Sequence, residues 1–169
     1  MNYHKISLYD TANGPAIGTV LWVSGCEHHC PECHNPQTWD KNSGREFTEL
    51  DMEHLLDSLK PDYISRLTLS GGDPLAPYNI DIVTSICIRV KELYPDKHIW
   101  LYTGYSWEEI WNYAIMDYVD VVVDGEFQID KKDIGLVYCG STNQRVIDVK
   151  KSKQIVSPVF APPVEWSKN

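Results

Sequence analysis

The sequence predicts an α/β fold, built as a partial barrel or a strongly curved open sheet. Three observations lead there. Strand-like apolar runs alternate with helical stretches, the pattern of βαβ units with a parallel sheet and right-handed crossovers. Most of the strands end on loops of unusual composition. And the 169 residues fall well short of the ~250 that a complete eight-fold barrel takes.

Along the chain, His4–Tyr9 and Thr19–Val23 read as strands. A loop rich in Cys, His, Pro and Asn follows from Ser24 to about Gly44. Thr48–Lys60 reads as a helix: Met52, Leu55, Leu56 and Leu59 recur at helical spacing, and Thr48 with Asp51 resembles a capping pair. Ile64–Leu69 is a strand ending at Ser70-Gly71-Gly72-Asp73-Pro74. Asn79–Tyr94 is a second helix, with Ile82, Val83, Ile86, Val90 and Leu93 on one face. His98–Thr103 is a strand ending at Gly104. Ser106–Ala114 is a helix capped by Ser106 and Glu109, Tyr118–Val123 a strand ending at Asp124-Gly125, and Val146–Val149 a late strand. In parallel α/β architectures, sites lie beyond the carboxyl ends of the strands. Four unusual loops on that one rim point to one active site.

No repeat, linker or low-complexity stretch divides the chain, so residues 1–169 read as a single domain. Hydrophobic content of 43% and charged content of 23% suit a globular protein. The net charge of -9 repels phosphate backbones, which argues against a nucleic-acid partner. No apolar run approaches the ~20 residues of a membrane span, and the N-terminus lacks an apolar signal-peptide core. The expected location is therefore the cytoplasm, where disulfides are rare. Three of the five cysteines fall between Cys26 and Cys33, a crowding that suggests metal before disulfide.

The crowded motif is C-E-H-H-C-P-E-C, a C-x3-C-x2-C spacing of Cys26, Cys30 and Cys33. A self-contained four-iron cluster takes four cysteine thiolates. Three leave one iron open, and an open metal position is where chemistry happens. The alternative is structural zinc, with His28, His29 or His34 as fourth ligand. In the second loop, Gly71 and Gly72 permit positive φ and let backbone approach a ligand closely. A plain strand-to-helix turn would use the same residues. Thr103 ends its strand with a hydroxyl that holds a carboxylate or merely caps the strand. Asp124, after a run of valines, needs a partner, since burying a lone carboxylate is costly. A cation, a ribose hydroxyl and a backbone amide all qualify, as does a turn with Gly125. Cys87, among Ile86, Ile88 and Val90, reads as packed core, and Cys139 carries no assigned role.

The cysteine spacing, after a strand and a glycine, resembles the signature of the radical S-adenosylmethionine superfamily. The resemblance implies a partial (β/α) barrel open on one side and a 4Fe-4S cluster on the three cysteines. S-adenosylmethionine would chelate the open iron and be cleaved reductively to methionine and a 5′-deoxyadenosyl radical. Gly71, Gly72 and Asp73 resemble the superfamily's GGE loop, which binds the methionyl ammonium; Asp73 stands where that loop has Glu. Further stretches resemble one subfamily, the activating proteins of anaerobic ribonucleoside-triphosphate reductase. They are Asn13-Gly14-Pro15, His34-Asn35 with Thr38-Trp39, Tyr102-Thr103-Gly104-Tyr105, V-D-G-E-F at 123–127 and G-S-T-N-Q-R at 140–145. That resemblance implies a glycyl-radical activase whose partners are the reductase and a low-potential electron donor. Two departures stand out. Glu32 replaces an aromatic residue before the third cysteine, and Gly18 replaces the arginine of the usual G-P-G-I-R. Two other functions compete: a radical enzyme acting on a small molecule, and a zinc-stabilised adaptor.

Overall fold

A computed structural model of the chain describes residues 1–155 and 157–161. Seven strands form one open sheet: β1 (Asn2–Asp10), β2 (Gly18–Val23), β3 (Arg45–Glu46), β4 (Arg66–Gly71), β5 (His98–Tyr102), β6 (Val121–Asp124) and β7 (Arg145–Asp148). Their order is β3-β1-β2-β4-β5-β6-β7. β2, β4, β5 and β6 run parallel, and they are the strands whose ends carry the four unusual loops. β1, β3 and β7 pair antiparallel at the flanks. The sheet is thus mixed, where the alternation of elements predicts it parallel throughout. The reason is connection length. Residues 11–17 are too few for a crossover, which takes a dozen or more, so β1 and β2 form an antiparallel pair. No long helix lies between β6 and β7 to carry the chain back to the other end of the sheet.

Helices α1 (Glu49–Ser58), α2 (Ile80–Leu93), α3 (Trp107–Ile110) and α4 (Val149–Ile155) complete the main elements. α1 starts where the sequence predicts. The Thr48 side chain accepts from the Asp51 amide, and Asp51 accepts in return from the Thr48 amide at 2.9 Å. α3 is a single turn followed by a 3-10 turn at Ala114–Asp117, shorter than the stretch that Ser106 and Glu109 cap. α4 has no counterpart among the helices read from the sequence, and Lys150 and Lys151 are exposed on it.

Leu21, Val23, Leu67, Leu69, Ile99, Leu101 and Val122 point from the sheet to one side. There they pack with Met52, Leu55, Leu56 and Leu59 on and just after α1, and with Val83, Ile86, Cys87 and Val90 of α2. Each such aliphatic side chain contributes about 1.5–3 kcal/mol on burial. Leu93, expected on the apolar face of α2, is 57% exposed instead. The opposite face of the sheet carries Trp100, Val121 and Val123, backed by Tyr102, Tyr138 and Cys139. With buried apolar residues on both faces, the parallel strands read as near-continuous apolar runs. Among the described residues, no helix is long and apolar enough to cross a membrane.

Candidate iron–sulfur site

The cysteine loop leaves β2 at Ser24 and is tied down at once. The Gly25 amide donates to the Thr38 carbonyl at 2.6 Å and the Cys26 amide to the Trp39 carbonyl at 3.0 Å. Thr38 is itself buried, its hydroxyl on the Asn35 carbonyl at 2.7 Å. Within the loop the Cys33 amide donates to the Cys30 carbonyl at 3.1 Å. The chain from Ser24 to Trp39 is therefore a closed, self-bonded loop beyond the end of the parallel strands.

Gly72 joins this loop to the next. Its amide donates to Val23 at 2.8 Å, and that of Asp73 to the Gly25 carbonyl at 2.7 Å. A Cβ on Gly72 would sit 2.3 Å from the Gly25 carbonyl oxygen. The close backbone approach that the glycine pair permits is thus made, in this chain, to the cysteine loop itself.

Asp73 is the hub. Only 2% exposed, its carboxylate accepts from the Leu75 amide at 2.8 Å, the Thr103 hydroxyl at 2.9 Å and the Gly104 amide at 2.9 Å. His28 Nε2 lies 3.0 Å from the same carboxylate, and His28 Nδ1 2.8 Å from Glu126 Oε1. Hydrogen bonding to Asp73, reinforced by Glu126 against burial, pushes the imidazole pKa up to about 9. His28 is therefore a charged clamp at neutral pH. Asn79 closes the set: its Nδ2 donates to the carbonyls of both Ser24 and Asp73, each at 2.9 Å.

Asp124 lies deeper, 1% exposed. Its carboxylate takes Arg145 Nε at 3.1 Å and the Trp107 amide at 2.7 Å, so of the partners its position allows it has a cation and a backbone amide. The Arg145 motif is spent on the loop after β6. Gln144 donates to the Gly125 carbonyl at 2.9 Å and accepts from the Gly140 amide at 2.9 Å, while Asn143 donates to the Glu126 carbonyl at 2.8 Å. This explains why V-D-G-E-F and G-S-T-N-Q-R occur together: side chains of the second satisfy the carbonyls of Gly125 and Glu126 and the carboxylate of Asp124 in the first.

These loops enclose one cleft. Cys26, Cys30, Cys33, Gly71, Gly72, Asp73 and Thr103 all line it, with Gly125 and Glu126 opposite; Asp124 stands behind it. Among the described residues no group of three or more metal-binding side chains converges on a point that a single ion would occupy. A four-iron cluster makes a different demand, since each thiolate takes its own iron. The donor set suits it. The backbone amide of Asn35 donates to the Cys33 sulfur at 3.3 Å. Amide hydrogen bonds to sulfur are a recognised means of tuning such clusters. Burial pushes the Cys26 thiol up to about 11 and raises Cys30 as well, so metal loading at neutral pH must displace protons.

Comparison with known proteins decides between iron–sulfur and zinc. Residues 12–147 match the family model of a 4Fe-4S single cluster domain. The anaerobic ribonucleoside-triphosphate reductase-activating protein of Vibrio cholerae is 43% identical over 148 residues, 85% of this chain and 96% of the relative. That of Escherichia coli K12 is 42% identical over 151 residues, 86% of this chain and 97% of the relative. That of Enterobacteria phage T4 is 41% identical, covering 86% and 93%. The chain belongs to this family of 4Fe-4S reductase-activating proteins.

In this family member, three site residues escape a reading of the sequence. His28 is visible only as a possible zinc ligand, Glu126 only as part of a motif, and Asn79 only as a helix start. Two signals were available. Asn79 opens a helix without capping it, which frees its amide for other work. His28 sits between two cysteines, where a bulky charged side chain needs a carboxylate to be tolerated in a half-buried loop.

Proposed function

We propose that this protein is a glycyl-radical-generating activase of the radical S-adenosylmethionine type, acting on anaerobic ribonucleoside-triphosphate reductase. The observation that carries the proposal is the meeting of the C-x3-C-x2-C loop and the Gly71–Asp73 loop on one cleft at the carboxyl ends of parallel strands. Relatives that match over nearly their whole length are named for activating that reductase.

Cys26, Cys30 and Cys33 would hold three irons and leave the fourth for S-adenosylmethionine. When bound, the cluster and S-adenosylmethionine supply reductive cleavage of the sulfonium, the source of a hydrogen-abstracting radical, with the electron from a low-potential donor. The chain's own residues bind, orient and exclude water. Gly71 and Gly72 present bare backbone to the cleft and would receive the methionyl end. The Asp73 carboxylate already has four donors, so its role is to fix Thr103, Gly104 and His28 rather than to contact the ammonium directly. Thr103 lines the cleft with its hydroxyl turned to Asp73. Asp124 would act from behind, through Arg145 and the start of α3. We read the whole chain as one domain, its open sheet as a partial barrel whose uncovered side admits a polypeptide.

Anaerobically reconstituted protein given S-adenosylmethionine and a strong reductant is expected to form methionine and 5′-deoxyadenosine in equal amounts. Gly72→Val should lose this, because its side chain would collide with Gly25 beside Cys26. Reconstituted wild-type protein that holds four irons but forms neither product would refute the S-adenosylmethionine reading.

A further inference from the structure

Arg66 and Gly18 open adjacent parallel strands and are registered neighbours. Arg66 is 1% exposed. Its Nη2 donates to Asp10 Oδ1 at 2.9 Å, the Asp10 carbonyl at 3.1 Å and the Gly14 carbonyl at 3.0 Å. Its Nε and Nη1 have no hydrogen-bond partner among the described residues. The guanidinium fills space that side chains elsewhere would claim: a Cβ on Gly18 would lie 1.8 Å from Nη1, and one on Gly14 2.4 Å from Nε. The space beside Gly18 is therefore occupied from the neighbouring strand.

What Arg66 holds is the 11–17 connection. Two residues along β4 on the same face, Thr68 donates to the Asn13 carbonyl at 2.9 Å. Asn13 in turn donates twice to Asp10, at 2.8 and 2.9 Å. This clamps the connection across the face of the sheet that the long helices leave bare. There Ala12 and Asn13 line a second cleft, whose other walls include Trp22, Tyr102 and Cys33. Its strand walls, Trp22, Ser70 and Tyr102, stand at the carboxyl ends of β2, β4 and β5, beside Cys33, His34 and Asn35 of the cysteine loop.

We propose that Arg66 is a positioning residue for the floor of this cleft. One guanidinium, shared by positions 18 and 66, fixes Ala12 and Asn13 where the polypeptide substrate enters. The substrate part rests on the function proposed above; the clamp itself does not. The volume holds a planar guanidinium bonded through Nη2 to Asp10 and Gly14, and an arginine from either strand would deliver it. A lysine would not replace it, because it lacks the planar group whose Nη1 and Nε fill the space beside Gly18 and Gly14.

The test is an exchange of the pair, comparing Arg66→Gly, Arg66→Lys, Gly18→Arg and the double variant Gly18→Arg/Arg66→Gly. The first readout is amide hydrogen exchange of residues 12–17 in metal-free protein. Loss of a buried charged hydrogen-bonding group should speed it about tenfold or more in Arg66→Gly, with Arg66→Lys nearly as fast and the double variant close to wild type. Gly18→Arg alone should unfold more readily, since two guanidiniums would compete for one space. The second readout is the reductase concentration giving half-maximal radical formation, expected to rise in Arg66→Gly and return in the double variant. Should Arg66→Gly fail to fold, the double variant alone carries the test. A double variant that exchanges as fast as Arg66→Gly, or a Gly18→Arg chain as stable as wild type, would overturn the proposal. Wild-type protein that makes no radical on the reductase would instead sink the proposed function, with the exchange data still judging the clamp.

Discussion

Alanine at Cys26, Cys30 or Cys33 is expected to abolish cluster loading, taking iron from about four per chain to near zero. All three cysteines line one cleft from a single self-bonded loop, so none substitutes for another. Cys87→Ala and Cys139→Ala should load as wild type does. Cys87 is wholly buried between α2 and the sheet, and its loss costs packing alone. Cys139 is the sterner control, because it lines the second cleft together with Cys33. It lies outside the self-bonded loop that presents the other three. Iron and sulfide assays after anaerobic reconstitution check this. A Cys139→Ala protein that is folded but iron-free would make it a ligand and end the three-cysteine assignment.

Asp73→Leu is expected to be among the most damaging single changes outside the cysteines. It strands the Leu75 and Gly104 amides, the Thr103 hydroxyl and the His28 imidazole around a position only 2% exposed. An unsatisfied buried partner costs about 1–3 kcal/mol, more where charge is involved. The total should therefore reach roughly 4 kcal/mol, a large share of the ~5–15 kcal/mol that holds a domain together. Asp73→Asn should be milder, since one oxygen still accepts while the new NH2 faces donors. Denaturant unfolding of metal-free protein under anaerobic conditions measures both. A loss under about 1 kcal/mol for Asp73→Leu would show that the hub is not what couples the two loops.

Much of this site was legible in the sequence because its parts are local. C-x3-C-x2-C, S-G-G-D-P and the strand-end Thr103 and Asp124 each declare themselves within a few residues. Helices α1 and α2 were legible for the same reason: their apolar stripes and the Thr48 cap are short-range signals. What depends on distant partners was not. The Asp73 hub draws on residues 28, 103 and 104, and Asp124 on Arg145, pairings that no spacing reveals. Strand direction at the flanks was hidden because alternation of elements does not carry it, although the short 11–17 connection did. The Gly18 departure reads in sequence as a missing group, yet Arg66 fills its place from the next strand. A one-dimensional motif records where a side chain starts and not where it ends.

The proposed substrate is a glycine of the reductase, and one measurement bears on it most directly. Reconstituted protein, S-adenosylmethionine and a low-potential reductant are mixed anaerobically with the reductase, and the partner is examined by electron paramagnetic resonance. A stable radical should appear on the partner, with 5′-deoxyadenosine released alongside. It should vanish when the radical-bearing glycine of the partner is replaced by alanine. A radical of equal yield on the alanine variant, or fast coupled turnover driven by a small metabolite with no reductase present, would contradict the account.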